Sequence, residues 1–254
     1  MTYRSRPQLT LVASVLLVAG YVSTPSASHS WNGYHWARSS NPVALTLGDN
    51  VSAAWDSHLA VAASDWNQSA VLNVSVGAGH ASRKNCRPAD GAIEVCNGAY
   101  GYNGWLGVAQ IWVSGKHITA GSARMNDSYF KLAAYSDPAW KQLVICQEVG
   151  HVFGLDHQDE NFDNAPMGTC MDYSNDPVPN QHPDAHDYAE LESIYQHLDS
   201  TAQAAPQPAP GRNADVPSEW GQLMKSSRGG RTQVFERDFG GGQKVVTFVI
   251  WAQR

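Results

Sequence analysis

A chain of 254 residues with 43% apolar residues can bury one substantial core, so one main domain is the default expectation. Its formal net charge is −6 at pH 7, and its 17 Lys and Arg residues are scattered along the chain. Such a chain offers no electrostatic footprint for a phosphate backbone or an anionic lipid surface, and nucleic acid is not an expected partner.

The first 30 residues carry Arg4 and Arg6, then the apolar run from Leu9 to Gly20, then the small-residue stretch "STPSASHS" from Ser23 to Ser30. That is the order of a secretory signal peptide, with cleavage expected near Ala27 or Ser28. The apolar run is shorter than the roughly 20 residues a membrane-spanning helix needs, so a secreted, extracellular chain without membrane contact is expected. Four cysteines, Cys86, Cys96, Cys146 and Cys170, agree with export, because an even number in an oxidising compartment favours disulfides. Spacing favours Cys86 with Cys96 and Cys146 with Cys170. A four-cysteine zinc site is the competing reading, and it lacks any C-x-x-C spacing.

From residue 29 the chain reads as extended, with a strand at Val43–Leu47 ended by Gly48. Asp49 or Asn50 is expected to cap a helix from Val51 to Trp66, where Val51, Trp55, Leu59, Ala62 and Trp66 recur at helical spacing. "VLNVSVGAG" follows as a strand, and the Gly-rich segment 98–130 reads as strands and loops. Asp137-Pro138 makes a helix start, since Asp accepts orphan N–H groups and Pro at the first helical position loses nothing. That helix is predicted to run to Gly154, which can take the left-handed conformation that ends helices. The expected fold class is α+β, a mixed twisted sheet with two or three long helices.

On the helix, Gln147 and His151 stand at i and i+4, so both side chains can converge on one point, with Glu148 beside them. After Gly154 the chain can reverse and bring His157 to the same point. Neutral imidazoles hold Zn²⁺ at about 2.0–2.1 Å, and the metal lowers the pKa of a bound water. A nearby carboxylate that does not ligate can take that water's proton, and Glu148 is the residue for that role.

The run from Gln147 to His157 resembles the metzincin metallopeptidases, the matrixin and astacin type, whose signature is H-E-x-x-H-x-x-G-x-x-H followed by a methionine-containing turn. Every signature position matches except the first, where Gln147 stands in place of histidine. The resemblance implies that His151 and His157 are zinc ligands and Glu148 the general base. It further implies that Met171, in "GTCMDY", is an apolar floor under the metal and that Tyr173 is an extra ligand or transition-state donor. The order of elements fits from the helix at Val51 to Leu198, but only residues 147–173 are specific. It implies a catalytic domain over 29–200 acting as a secreted zinc-dependent endopeptidase on protein or peptide substrates, as a monomer.

Gln147 leaves three readings open, because a Gln carbonyl is a neutral oxygen donor weaker than imidazole for zinc. Gln147 ligates directly or through water; another group such as Tyr173 completes the site; or the metal is absent and the scaffold serves as a secreted binding protein. A Cys146–Cys170 bridge would staple the metal helix to the methionine turn, or serve stability alone.

Among the other histidines, His80, His117, His182 and His186 read as surface or structural residues, with His182 and His186 the substitute ligands to consider. "DYAELESIYQHL", Asp187 to Leu198, places Leu191, Ile194, Tyr195 and Leu198 on one helical stripe. The acidic run "DHQDENFD" reads as a solvated loop, with Ca²⁺ binding the weaker alternative. Residues 201–214 form an Ala/Pro linker, and 215–254 an extension with a β-hairpin around Gly240–Gly242, docked on the main domain or paired with a sheet edge. No cysteine precedes the first helix, so a thiol latch over the metal is not expected.

Overall fold

The computed structural model describes residues 1–2, 29–200, 216–227 and 229–253. The signal peptide read from residues 1–28 lies, but for its first two residues, outside them, as does the whole 201–214 linker.

In chain order the elements are β1 (His35–Trp36), β2 (Val43–Asn50), α1 (Asp56–Trp66), β3 (Leu72–Ala78), β4 (Ile93–Gly98), β5 (Trp105–Ser114), β6 (His117–Asn126), α2 (Pro138–Val152), α3 (Ala185–Ile194), β7 (Gln222–Ser226), β8 (Thr232–Gly240) and β9 (Gln243–Trp251). The strands form one mixed sheet in the order β3-β2-β4-β6-β5-β9-β8-β7, with β1 pairing β6 beside this path. β1, β2, β3, β4 and β6 run parallel where they pair with one another, whereas β5 runs antiparallel to both β6 and β9. β8 is antiparallel to β9 and β7 to β8. The fold class is α+β, with three α-helices among the described residues.

Alternation along β5 divides the interior. Ala109 and Ile111 join the main core with α1 and α2, while Val108 and Trp112 enter a second cluster closed by Trp220. β9 alternates in the same way: Val246, Phe248 and Ile250 face the main core, Val245 and Val249 the second cluster. Buried on both faces, it carries the near-continuous apolar run expected of an interior strand. The C-terminal strands therefore extend the main sheet beyond β5.

α2 starts where its sequence predicts, with the Asp137 side chain accepting from the Ala139 N–H at 2.8 Å and Pro138 in the first turn. α1 begins at Asp56 rather than Val51, because β2 runs on through Gly48 to Asn50. Gly48 lies between Gly77 of β3 and Glu94 of β4, so close that a Cβ would overlap the Glu94 carboxylate. Its lack of a side chain lets the strand continue rather than end. The Asp49 carboxylate turns the chain by accepting from the Val51 N–H at 3.0 Å. α3 spans Ala185–Ile194 rather than 187–198, since Asp184 caps it in a reciprocal pair with Asp187.

Both favoured disulfides are formed, Cys86–Cys96 and Cys146–Cys170, each with Cα atoms 5.9 Å apart. They fit an oxidising compartment. Among the described residues no helix is long and apolar enough to cross a membrane.

Gly154 ends the α2 turn at φ +104°, and a Cβ there would overlap the Tyr34 carbonyl oxygen. Its own carbonyl accepts from the Trp31 N–H at 3.2 Å, so the segment after residue 29 straps the turn. Gly154→Ala combines a left-handed backbone with a backbone overlap and should cost roughly 3 kcal/mol or more. Urea unfolding measures this, and a midpoint equal to the parent's would contradict the described turn.

Candidate functional site

α2 is buried along most of its length, which places polar Gln147, Glu148 and His151 inside the protein rather than on a wet face. The His151 ring is oriented from its own loop. Nδ1 donates to the Leu155 carbonyl at 2.9 Å, which leaves Nε2 with its lone pair exposed to a partner. The turn at Gly154 returns the chain, and His157 Nε2 sits 2.9 Å from His151 Nε2. The reversal read from the sequence thus brings the two imidazoles together.

Tyr173 also packs on His157: its hydroxyl lies 2.5 Å from Nε2 and 2.7 Å from Nδ1, and its ring tilts over the imidazole with centroids 3.9 Å apart. Phe162 stacks on Tyr173 at 5.1 Å. Asp156 Oδ1 is 3.2 Å from His157 Nδ1. Lys225 of β7 reaches in with Nζ 2.6 Å from Asp156 Oδ2 and 2.7 Å from Glu160 Oε1. Met171 is fully buried under α2: a Cβ on Gly150 would lie 2.6 Å from its sulfur. The Cys146–Cys170 bridge joins α2 to the residue before Met171.

Two buried oxygens in this cluster lack any hydrogen-bond partner among the described residues, Gln147 Oε1 and Glu148 Oε2. Gln147 uses only its amide nitrogen, donating to the Cys170 carbonyl at 3.0 Å. A buried orphan acceptor costs about 1–3 kcal/mol, so each marks a position where a further group would be stabilising. Glu148 is seated against β5, where Gly107 gives it room: a Cβ there would overlap its carboxylate.

Burial governs the charge states. It pushes the Glu148 carboxyl well above its ordinary range, opposed only in part by the Arg124 guanidinium and the Ala109 backbone. Burial likewise holds His151 well below its ordinary value, with His157 adding to the effect, and it lowers His157 against the pull of Asp156. Both rings are therefore neutral at pH 7, the form that ligates metals. Burial raises Tyr173 far above its usual value, so it remains a neutral O–H. For Asp156 burial works upward, yet the hydrogen bonds from His157 and Lys225 outweigh it and hold the carboxylate below the usual range.

The roof of the site is a residue that sequence reasoning missed. Phe248 of β9 stacks face to face on His151, with centroids 4.2 Å apart and planes inclined by 6°. In the β5–β9 register it stands opposite Ala109, whose backbone hydrogen-bonds Glu148. Glu148 and His151 are each only 1% exposed under this cover. The signal was present in "VVTFVIW", too apolar for a strand with a wet face.

The other sequence candidates lie elsewhere. His182 pairs with Asp65 at 2.7 Å, and His186 stacks on His29 at 4.8 Å, so neither substitutes as a ligand beside His157. In the acidic run, Asp159 Oδ1 accepts from the backbone N–H groups of Glu160 and Asn161, and Lys225 already bridges Asp156 and Glu160. Lys225 thus neutralises two of the carboxylates that the calcium alternative would use. The chain matches no family model and no curated protein, so what it does has to be argued from these residues.

Proposed function

We propose that this chain is a secreted zinc-dependent endopeptidase of metzincin type with an altered first ligand. The observation that carries the reading is the meeting of His151 Nε2 and His157 Nε2 at 2.9 Å, with two orphaned buried oxygens, Gln147 Oε1 and Glu148 Oε2, one turn earlier on the helix that carries His151. This donor set fits a zinc ion: two neutral imidazoles with one lone pair already oriented by Leu155, and an amide oxygen with nothing else to accept from. His151, His157 and Gln147 would hold it. When bound, zinc supplies Lewis acidity and a water of lowered pKa.

The chain's own residues do the rest. Glu148, with an affinity for protons raised by burial, takes the proton from the attacking water and hands it to the leaving amine. Tyr173, kept neutral by its burial, retains a proton to donate to the oxygen that gains charge. Met171 and the Cys146–Cys170 bridge fix α2 against the loop that carries Tyr173, and Asp156 with Lys225 fixes His157. The signal-peptide pattern and both disulfides support export.

One observation favours a second reading, a secreted binding protein on the same scaffold: Phe248 and β9 cover the histidines, so hydrolysis requires β9 to withdraw. An assay of zinc-loaded full-length protein on a disordered polypeptide separates the two. Cleavage that a chelator stops and added zinc restores is the expected result. Intact polypeptide with both the parent and Phe248→Ala would support the binding scaffold instead.

A further inference from the structure

A second group of metal-binding side chains meets where β1 pairs with the start of β6. His35 and His117 are direct register partners there, and the chain leaving α3 adds His197 and Asp199. Asp199 Oδ1 is the point of convergence. It lies 3.0 Å from His117 Nε2, 3.5 Å from His197 Nε2 and 3.8 Å from His35 Nε2. The His35 ring is edge-on to both other imidazoles, with centroids 5.0 Å from His117 and 4.8 Å from His197.

Two features separate this group from a chance meeting of polar side chains. His35 Nδ1 faces the Gly33 carbonyl at 2.9 Å and so carries the proton, which turns the lone pair of Nε2 toward the cluster. That Nε2 is buried and has no hydrogen-bond partner, on a residue only 4% exposed. Asp199 is oriented likewise: its Oδ2 accepts from the Arg38 N–H at 2.9 Å, and its own N–H donates to the Arg38 carbonyl at 2.7 Å, leaving Oδ1 for the histidines. A lone pair aimed at a carboxylate oxygen is repulsive unless a cation lies between them.

We propose that His35, His117, His197 and Asp199 form a zinc site separate from the His151–His157 centre. His35, His117 and Asp199 offer two imidazole nitrogens and one carboxylate oxygen all within 4.8 Å of one another, His35 and Asp199 braced from behind by backbone groups, and the half-exposed His197, 3.5 Å from Asp199 Oδ1, turns in as the fourth donor of a tetrahedral Zn²⁺ set. With four protein ligands no position is left for substrate, so the role is structural: the ion ties β1, β6 and the end of the α3 segment together. The four side chains line one open cavity together with Lys116 and Glu190, which gives the ion a path from solvent. The two centres share no residue, so this inference does not rest on the proposed hydrolysis.

The test is a zinc titration of metal-free full-length protein by calorimetry, with thermal unfolding alongside, on the parent, Asp199→Asn and His197→Ala. His197 is half exposed, and Asn at 199 can still accept from Arg38, so both variants should fold, which circular dichroism checks. One binding event present in the parent should be weakened at least about tenfold in both variants. The rise in thermal midpoint that this event gives the parent should shrink with it. A parent and variants with the same number of zinc equivalents at the same affinity would overturn the site. So would a parent that binds a single zinc, lost in His151→Ala and kept in Asp199→Asn.

Discussion

Phe248→Ala is expected to lower folding stability by about 3–5 kcal/mol, the range for truncating a buried phenylalanine. Phe248 is fully buried, packs with Val246 and Ile250 in the main core, and lies flat on His151 at 4.2 Å. Little can move in to fill the space, because β9 is pinned between β5 and β8 along its length. The same change uncovers the His151 face, so cleavage of a disordered polypeptide should rise even as urea resistance falls. An opposite movement of stability and activity is hard to obtain from a purely structural core residue. A stability loss under about 1 kcal/mol would contradict the packing of β9 over the site.

Glu148→Gln should reduce peptide hydrolysis by about 10²–10⁴-fold, the usual contribution of a positioned general base, without removing zinc. It should also make the metal-free protein more stable at neutral pH. Burial raises the Glu148 pKa in the folded state, so the stability contributed by its protonated form is present below the unfolded value of about 4.3 and is lost as pH rises through the folded value. The histidines act in the other direction. Burial depresses His151 and His157, so their contribution is present above about pH 6.5 and is lost as pH falls through the folded values. The glutamine variant removes only the Glu148 effect: its advantage in thermal midpoint should be largest near pH 7 and vanish near pH 4. Superimposable midpoints for parent and variant across that range would mean that Glu148 is not held as a buried acid.

The sequence carried the site's framework because that framework is local. The Asp137-Pro138 start, the i and i+4 placement of Gln147 and His151, and the reversal at Gly154 all act within one helix and one turn, where residue type and backbone geometry correspond directly. The helix start at Asp56 was less legible, since Gly48 looks like a strand end until Gly77 and Glu94 are seen crowding it. The roof and the second histidine cluster depend on contacts between distant parts of the chain. Phe248 reaches His151 only because β9 pairs with β5, and His35 meets Asp199 only after α3 has returned the chain to β1. No periodicity reports such meetings. Lys225 is similar: its place between Asp156 and Glu160 turns an acidic stretch that invites a calcium reading into an ion pair with the C-terminal strands.

The most direct measurement is zinc per chain, by mass spectrometry, on purified full-length parent, His151→Ala and Gln147→His proteins carrying Asp199→Asn to silence the second centre. The proposed function predicts close to one zinc in the parent background, loss of it in His151→Ala, and retention against a stronger chelator in Gln147→His, where imidazole replaces the weaker amide oxygen. No zinc in the parent background, with zinc in Gln147→His alone, would contradict it and leave a scaffold whose native work is binding.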